Sequence, residues 1–256
     1  MSDYVLPHSN PEEEERLTLM SQMLDPHMCF RLEQIGIGPG WNCLEVASGN
    51  GSVSTWLADK VGPSGHVVIS DIDTTYLDRL AKTNLEVKKL DVTVDDLGGE
   101  YDLVCGRAFL HHIPERLNVV KRLADAVKPG GYILIVEPDF HPSLTSDSPI
   151  ACMFFEGFLA WAANQGIDYY IGRRLGLLLR KAQFDDIRIH GETILFNGGS
   201  LVSRYWQLTM AELGEAIMTS GAITRSTMNE ALALLDDPDF WAWQNSYVAT
   251  SARKPK

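Results

Sequence analysis

The chain has few basic residues for its size. Its 22 lysines and arginines are outnumbered by 34 aspartates and glutamates, so the formal net charge is −12 over 256 residues. The sequence contains no basic stripe and no alternation of basic with aromatic residues, and a chain of this charge repels phosphate backbones. The composition therefore argues against a nucleic-acid partner and favours a small-molecule substrate.

Cysteine is scarce and shows no paired spacing. None of the four cysteines forms the C-x-x-C pattern of zinc and redox motifs. Cys43 and Cys105 fall in segments that resemble buried strands, so we expect them to be small core residues. Neither a disulfide framework nor a metal site is predicted.

Long apolar runs are also missing. No segment approaches the roughly 18 apolar residues of a membrane span, and the start of the chain is acidic rather than basic and then apolar. We expect a cytoplasmic protein without a membrane span. The sequence leaves open whether it forms a homodimer. The acidic run at residues 12–15 is typical of a helix start, with Asn10 as its N-cap and Pro11 in the first position, because carboxylates are favourable at the positive end of the helix dipole.

A strand that ends in a carboxylate and continues into a glycine turn lies at residues 44–54. Gly49 and Gly51 permit backbone conformations and a close ligand approach that a side chain would block, and the helix that follows offers unpaired N–H groups. This pattern predicts a seat for a nucleotide-sized ligand.

Further strands follow at regular intervals along the chain. Asp71 ends one of them about 20 residues past the glycines, where Rossmann-like folds place a carboxylate that binds ribose. The alternation of strands with helices predicts a parallel, doubly wound sheet. The predicted strands after the first are His66 to Asp71, Val87 to Asp91, Tyr101 to Gly106, Tyr132 to Val136, Ile187 to Ile194 and Ser246 to Ser251.

These motifs together resemble the class I S-adenosylmethionine-dependent methyltransferases, in particular the ubiquinone/menaquinone-biosynthesis type. The resemblance implies an α/β fold with a Rossmann-like, doubly wound sheet of seven strands, one antiparallel strand in the last pair, and helical caps. It also implies S-adenosylmethionine as the cofactor. One departure is Ala47, which stands where the family usually has glycine and narrows the methionine end of the pocket. The matching segments are Leu44 to Gly51, Asp71, Asp91, Tyr101 to Ile113 and Lys128 to Gly131.

The charge of Glu45 distinguishes this cofactor from NAD. A carboxylate beside the pyrophosphate of a dinucleotide is repelled, whereas it can accept a hydrogen bond from the amino group of S-adenosylmethionine. Position 54 is serine, although the dinucleotide fingerprint requires a third glycine. By the resemblance, Asp71 binds the ribose hydroxyls and Asp91 the adenine amino group. The expected cofactor-binding residues are Glu45, Ala47, Gly49, Gly51, Asp71, Ile72, Asp91, Val92, Arg107 and His112.

Segments outside the sheet are expected to form caps on one body. The first cap is a helix from Pro11 to Leu24, restarted by Asp25 and Pro26 and stopped by Gly36, with Tyr4 as part of the lid. The expected division is an N-terminal helical lid (1–40), the cofactor-binding core (41–140), a helical cap insert (141–171), the core continued (172–195), a second helical insert (196–244, with helices at 201–220 and 226–235) and the last core strand (245–256).

Aromatic residues are concentrated in the two inserts. Phe154, Phe158 and Trp161 recur at helical spacing, which indicates either a helix packed on the core or a pocket wall. Arg173, in a helix predicted over 172–182, is either a solvated surface residue or a clamp for an anionic substrate group. The candidate substrate residues are Phe158, Trp161, Tyr169, Tyr170, Arg173 and Trp206.

Methyl transfer from a sulfonium is an in-line displacement, so alignment alone supplies much of the catalysis. Where the acceptor must lose a proton, His111, His112 and His141 are candidate bases because all three lie just beyond strand ends. The sequence favours a methyltransferase acting on an O, N or C nucleophile of a small apolar or aromatic metabolite. An NAD(P)-dependent oxidoreductase, or a protein that binds S-adenosylmethionine without methyl transfer, remains the alternative.

Overall fold

A computed structural model describes residues 12–80 and 82–256, so Tyr4, Asn10 and Pro11 lie outside the described residues. Within the described ranges, the strands form one seven-stranded sheet. The strands are β1 (Asn42–Val46), β2 (His66–Asp71), β3 (Leu85–Lys89), β4 (Tyr101–Arg107), β5 (Val127–Asp139), β6 (Asp185–Asn197) and β7 (Trp241–Arg253).

Helices cover both faces of the sheet and its carboxyl edge. In the described part of the chain, three short 3-10 turns lie at Leu110–His112, Pro142–Thr145 and Ile171–Arg174. The α-helices are α1 (Glu13–Ile35), α2 (Ser52–Val61), α3 (Arg116–Ala126), α4 (Pro149–Asn164), α5 (Leu175–Lys181), α6 (Leu201–Thr219) and α7 (Arg225–Leu234).

The strand order is β3-β2-β1-β4-β5-β7-β6. Neighbouring strands run parallel from β3 to β5, whereas β7 is antiparallel to both β5 and β6. The predicted doubly wound sheet with one antiparallel strand in its last pair is confirmed. The chain reverses direction across the sheet between β1 and β4, and ligands of such sheets bind outside the carboxyl ends of the strands at this point.

The prediction of two N-terminal helices was wrong, because α1 is continuous through Pro26. Proline removes one N–H from the helix ladder, but Leu24 and Met28 on either side of it are buried, at 1% and 0% exposure. Packing of the helix against the sheet outweighs the lost hydrogen bond. Asp25, which resembled an N-cap, instead forms an ion pair with Arg107. The predicted stop is confirmed, since Gly36 caps the helix with a φ of +90°.

Two predicted boundaries in the core are also corrected. Strand β3 ends at Lys89, so Asp91 lies in the turn after the strand rather than at its tip. Strand β5 begins at Val127 rather than at the predicted Tyr132 and includes Lys128–Gly131, and its pairing with β4 shifts register there. The extra residues are absorbed as a bulge, with Gly130 at a φ of +76°.

The two helices predicted after β6 are present, and the strands on either side of them are longer than expected. Helices α6 and α7 begin and end within one residue of the predicted bounds. Strand β6 continues to Asn197 and β7 begins at Trp241, so both strands are longer than predicted. The helix predicted over 172–182 is divided into the Ile171–Arg174 turn and α5. Cys43 and Cys105 are confirmed as core residues, with 0% and 1% exposure.

Candidate cofactor and acceptor site

Acidic residues meet at the carboxyl ends of neighbouring strands. Glu45 is next to last in β1 and pairs in register with Ile69 of β2. Asp71 ends β2, and its carbonyl oxygen accepts a hydrogen bond from the Leu90 N–H at 2.9 Å. This bond holds the turn that carries Asp91 beside the tip of β2, so the three predicted acids lie along one edge of the sheet.

Glu45 is the most buried of these acids, at 2% exposure. Burial raises its pKa to about 7, and this effect is partly offset by the Ser54 hydroxyl, which donates to its carboxylate, and by the charge of Arg107. Near neutral pH the protonated and the ionised forms of this carboxyl are therefore both populated. A cationic ligand group beside it would favour the ionised form.

The glycine turn is held by the second acid. The Gly49 N–H donates to Asp71 Oδ2 at 2.9 Å, and Gly51 caps the N-terminus of α2 with a φ of +74°. A Cβ atom at Gly51 would lie 2.3 Å from a Leu80 methyl carbon, and the positive φ strains any other residue, so glycine is favoured there. Ala47 also has a positive φ, of +52°, a conformation that glycine adopts at lower cost.

The turn after β3 presents Asp91 in a defined orientation. Its Oδ1 accepts hydrogen bonds from the N–H and the hydroxyl of Thr93, at 2.8 and 2.6 Å. Val92 beside it is buried, whereas Ile72, which follows Asp71, is 48% exposed. The structure thus gives Ile72 and Val92 different environments, although the sequence assigned both to the cofactor.

Arg107 connects the tip of β4 to α1 and to the start of α2. Its guanidinium pairs with Asp25 and donates to the hydroxyl groups of Ser21 and Ser52 at 3.1 and 3.4 Å. Ser21 in turn donates to Asn50 Oδ1 at 3.1 Å. These bonds hold α1 next to the glycine turn.

The chemistry of this edge fits S-adenosylmethionine. A buried carboxyl whose pKa is near 7 can pair with an ammonium or lie near a sulfonium, and it would oppose a pyrophosphate. The two further acids, Asp71 and Asp91, suit the hydroxyl and amino groups of a nucleoside. Glu45, Asp71 and Asp91 are therefore the residues that would hold this cofactor.

A carboxylate that the sequence reasoning missed organises the histidine segment. Glu137 of β5 is fully buried and accepts hydrogen bonds from the N–H groups of Phe109 and Leu110 at 2.9 and 2.7 Å. His111 contributes its backbone N–H at 3.3 Å and its ring Nδ1 at 2.7 Å. The available signal was an acid directly after the apolar run Ile133–Val136.

The three candidate bases have different surroundings. The His112 ring lies 4.0 Å from that of His111, and burial, with the neighbouring His111 and the charge of Arg16, lowers the pKa of His112 well below its usual value. His112 is therefore neutral at pH 7. The His141 side chain is exposed, and its backbone N–H donates to Asp139 Oδ1 at 3.1 Å.

The aromatic residues of the two caps form one buried cluster around Trp206. Phe158 meets Trp206 edge to face with ring centroids 5.3 Å apart, and both side chains are almost fully buried, as is Trp161. Tyr169 extends the cluster toward the histidines, since its ring lies 5.2 Å from Phe158 and 5.0 Å from His111. The α4 aromatics thus pack on the core, and Tyr169 is the member that connects them to the catalytic candidates.

Arg173 has a partner within the protein. Its guanidinium makes two hydrogen bonds to Asp139, at 2.5 and 2.6 Å, and lies over the ring of Tyr170. Burial disfavours the Asp139 carboxylate, but the bonds from Arg173 and from the His141 N–H outweigh it and lower the Asp139 pKa. An anionic substrate group would have to compete with Asp139 for Arg173.

Sequence reasoning also missed two buried side chains, Arg16 of α1 and Tyr247 of β7. Arg16 is bound by Glu13 and donates to the Tyr205 hydroxyl at 3.3 Å. Tyr247 lies near Tyr205 and Arg107, and burial raises its pKa. These side chains are scattered along the chain without a shared motif, so only the fold brings them together.

Two absences concern the described residues alone. In residues 12–80 and 82–256, no group of three or more histidine, cysteine, aspartate or glutamate side chains is arranged to hold a metal ion. None of the helices in the same ranges has the length and apolarity to span a membrane.

A sheet with one antiparallel strand near its edge, and acids at or just after the carboxyl ends of three neighbouring strands, together define the class I methyltransferase fold. The chain belongs to the methyltransferase-domain family, whose model matches residues 14–189. The predicted resemblance to S-adenosylmethionine-dependent methyltransferases of the ubiquinone/menaquinone type is thereby confirmed.

Two bacterial relatives illustrate the resemblance. The ubiquinone/menaquinone biosynthesis C-methyltransferase of Ectopseudomonas mendocina is 28% identical over 117 residues, which are 42% of this chain and 46% of the relative. The demethylmenaquinone methyltransferase of Lactococcus lactis is 24% identical over 198 residues, 68% of this chain and 76% of the relative. The chain spans about half the length of the first of these relatives.

Solved structures agree on the fold. A candidate methyltransferase from Bacillus halodurans superposes with a TM-score of 0.59 at 18% identity, covering 88% of this chain and 98% of the other. The phosphoethanolamine N-methyltransferase 2 of Haemonchus contortus, solved with phosphomonomethylethanolamine and S-adenosylhomocysteine, gives a TM-score of 0.56 at 16% identity, covering 95% of this chain and 53% of the other.

Proposed function

We propose that this protein transfers a methyl group from S-adenosylmethionine to a small acceptor with an aromatic or apolar body. The observation that carries the proposal is the line of acids at the tips of β1, β2 and the turn after β3, next to a cap rich in aromatic rings. The methyltransferase-domain family and the cofactor of the Haemonchus enzyme support the same assignment.

In this proposal, S-adenosylmethionine supplies an electrophilic methyl group and leaves as S-adenosylhomocysteine. Glu45 binds the amino group of the cofactor, Asp71 its ribose hydroxyls and Asp91 its adenine amino group. The Gly49–Gly51 turn lets the backbone approach the ligand closely. Arg107 contributes by holding α1 over the bound cofactor.

His112 is the proposed general base. Its neutral imidazole accepts a proton from a hydroxyl group of the acceptor as the new bond to the methyl carbon forms, and the electron pair of the broken bond stays on sulfur. A deprotonated aromatic hydroxyl directs methylation to its own oxygen or to a ring carbon. His111, which Glu137 holds in place, positions His112 through ring contact.

The acceptor class rests on the caps and on the relatives. Tyr169 places a partly exposed aromatic ring next to His111, and the buried rings of Phe158 and Trp206 pack behind it. Aromatic surface favours flat apolar molecules. The bacterial relatives are named for methylation in ubiquinone and menaquinone biosynthesis. An aromatic acceptor with at least one hydroxyl group therefore suits this site best.

Calorimetry with S-adenosylhomocysteine and, separately, NAD tests the cofactor. Binding of the first without the second supports the proposal, and the reverse result would favour an oxidoreductase. Mass spectrometry of a panel of hydroxylated aromatic acceptors, incubated with the protein and S-adenosylmethionine, then tests transfer. Tight binding without any methylated product across the panel would favour a protein that binds the cofactor without transfer.

A further inference from the structure

Strand β7 contains a bulge just beyond the carboxyl end of β5. Ser246 pairs with Asp139, the last residue of β5, and also with Thr193 of β6. The next pair is Trp243 with Leu195, so Ile194 alone faces Gln244 and Asn245. Two residues opposite one define a β-bulge, and bulges re-aim side chains and often lie next to active sites.

The bulge turns both amide side chains toward the protein interior. Side chains of a regular strand alternate between faces, yet Gln244 and Asn245 are adjacent and are both fully buried. Trp241 and Trp243 lie on the opposite, outer face of the strand and are 57% and 41% exposed. The inner face is shared with Tyr247, whose hydroxyl lies beside Asn245.

These amides are incompletely paired within the described part of the chain. Both polar atoms of Gln244 and the Oδ1 of Asn245 are buried and make no hydrogen bond there. Asn245 uses its Nδ2 to donate to the Ser246 carbonyl oxygen at 3.1 Å. Buried polar groups in proteins are almost always satisfied, so a group left unpaired calls for a partner from outside the chain.

The surroundings indicate what that partner is. Tyr247 lies near Tyr205 and Arg107, and Arg107 also acts electrostatically on Glu45 of the cofactor edge. Ser246 pairs with Asp139, so the bulge lies just beyond the carboxyl end of β5, at the edge of the sheet where ligands of this fold bind. Its free groups are uncharged amide donors and acceptors, which match a neutral carbonyl or hydroxyl group rather than an ion.

We propose that Gln244 and Asn245 determine acceptor specificity by binding a neutral carbonyl or hydroxyl group on the acceptor's aromatic body. This inference rests on the proposed function, because it assumes that the acceptor binds beside the cofactor edge. The amides touch the part of the acceptor remote from the methylated atom. They are specificity residues, and the proton is still taken by His112.

A matched pair of phenols tests the proposal on the protein saturated with S-adenosylhomocysteine. The probes are para-hydroxyacetophenone and para-ethylphenol, which differ only by a carbonyl oxygen in place of two hydrogens. Calorimetry of the unaltered protein is expected to show about tenfold tighter binding of the ketone, the value of one good hydrogen bond to a buried amide. In Gln244→Met and Asn245→Leu the preference is expected to fall to near unity.

Thr250→Val is the matched control. Thr250 lies on the same strand, and its buried hydroxyl also has no hydrogen-bond partner in the described residues. It lies opposite Ile135 in the middle of the sheet, away from the bulge. The control is expected to keep the tenfold preference. Thermal unfolding of each variant reports folding, and replacing an unpaired buried amide by a methionine of similar shape is not expected to lower the melting temperature.

Three results would overturn the proposal: equal binding of the two phenols by the unaltered protein, no binding of either, or an undiminished preference in the folded Gln244 and Asn245 variants. All three leave binding of S-adenosylhomocysteine intact. Failure of the unaltered protein to bind S-adenosylhomocysteine would instead contradict the proposed function. The two failures are therefore distinguishable.

Discussion

The imidazole Nδ1 of His111 lies 2.7 Å from Oε2 of Glu137, and both side chains are buried. The same carboxylate accepts the backbone N–H groups that begin the Leu110–His112 turn. One side chain of β5 therefore fixes the turn after β4 and the orientation of the histidine ring within it. Because the His111 ring contacts that of His112, the position of the proposed base depends on Glu137.

Glu137→Gln is expected to destabilise the protein by about 2–4 kcal/mol. The glutamine amide nitrogen is a donor, and it would face N–H groups that now donate to the carboxylate. Urea unfolding at pH 7 measures the change in the free energy of unfolding. Glu230→Gln, on the exposed face of α7, is the control and should alter stability little. Equal stability of the two variants would show that Glu137 does not organise the turn.

Glu45 gives stability a specific pH dependence. Its folded pKa is raised from 4.5 to about 7, so the folded state binds the proton more tightly than the unfolded state does. Stability contributed by the protonated group is fully present below about pH 4.5 and is lost as the pH rises to about 7, by about 3 kcal/mol at most. Glu45→Gln should remove this loss, so without ligand the variant should be the more stable protein at pH 8. Unfolding free energies from pH 5 to pH 8 that run parallel for the two proteins would contradict the raised pKa.

Ala47 and Ala58 should respond oppositely to glycine. Ala47 has a φ of +52° at the end of β1, so Ala47→Gly is expected to relieve strain and stabilise the protein by up to about 1 kcal/mol. Ala58 is buried within helix α2, where Ala58→Gly should cost about 1 kcal/mol or more. Thermal melts of the two variants measure the difference. Destabilisation by both substitutions would show that Ala47 is not strained.

His112→Gln should lower kcat by about a hundredfold or more if His112 removes the proton. The neutral imidazole is the active form and its pKa lies well below the usual value. Activity of the unaltered protein should therefore stay level through neutral pH and fall only in acid, at a pH below the ordinary histidine range. His66→Gln, at the opposite end of β2, should leave both kcat and the pH profile unchanged. Similar kcat values for the two variants would show that a residue other than His112 is the general base.

The fold was predictable because its signals are local. Strand β2 lies at the residues that its β-branched run predicted, and Gly36 ends α1 as expected. The break predicted at Pro26 does not occur, because burial of Leu24 and Met28 overrides the local helix-start signal. The sequence does not display that burial. The lengths of β6 and β7 depend on pairing with each other, which is likewise invisible locally.

The site was predictable where one residue type in a fixed position carries the chemistry. Glu45, Asp71 and Asp91 lie at or just after the ends of strands and could be named from their spacing. Glu137 could not, since an acid within an apolar strand acquires its role only when β4 and β5 lie side by side. Gln244 and Asn245 depend on a register shift between two late strands, and no sequence pattern marks such a shift.

The affinity of the purified chain for S-adenosylhomocysteine, measured by calorimetry, tests the central claim most directly. Glu45→Gln, Asp71→Asn and Asp91→Asn should each weaken binding by about tenfold to a hundredfold, the loss expected for one charge-assisted hydrogen bond. Asp59→Asn, which changes an exposed acid of α2, should bind as the unaltered protein does. If the three variants fold normally and retain the parent affinity, the acids at the strand tips do not hold the cofactor and the account is wrong.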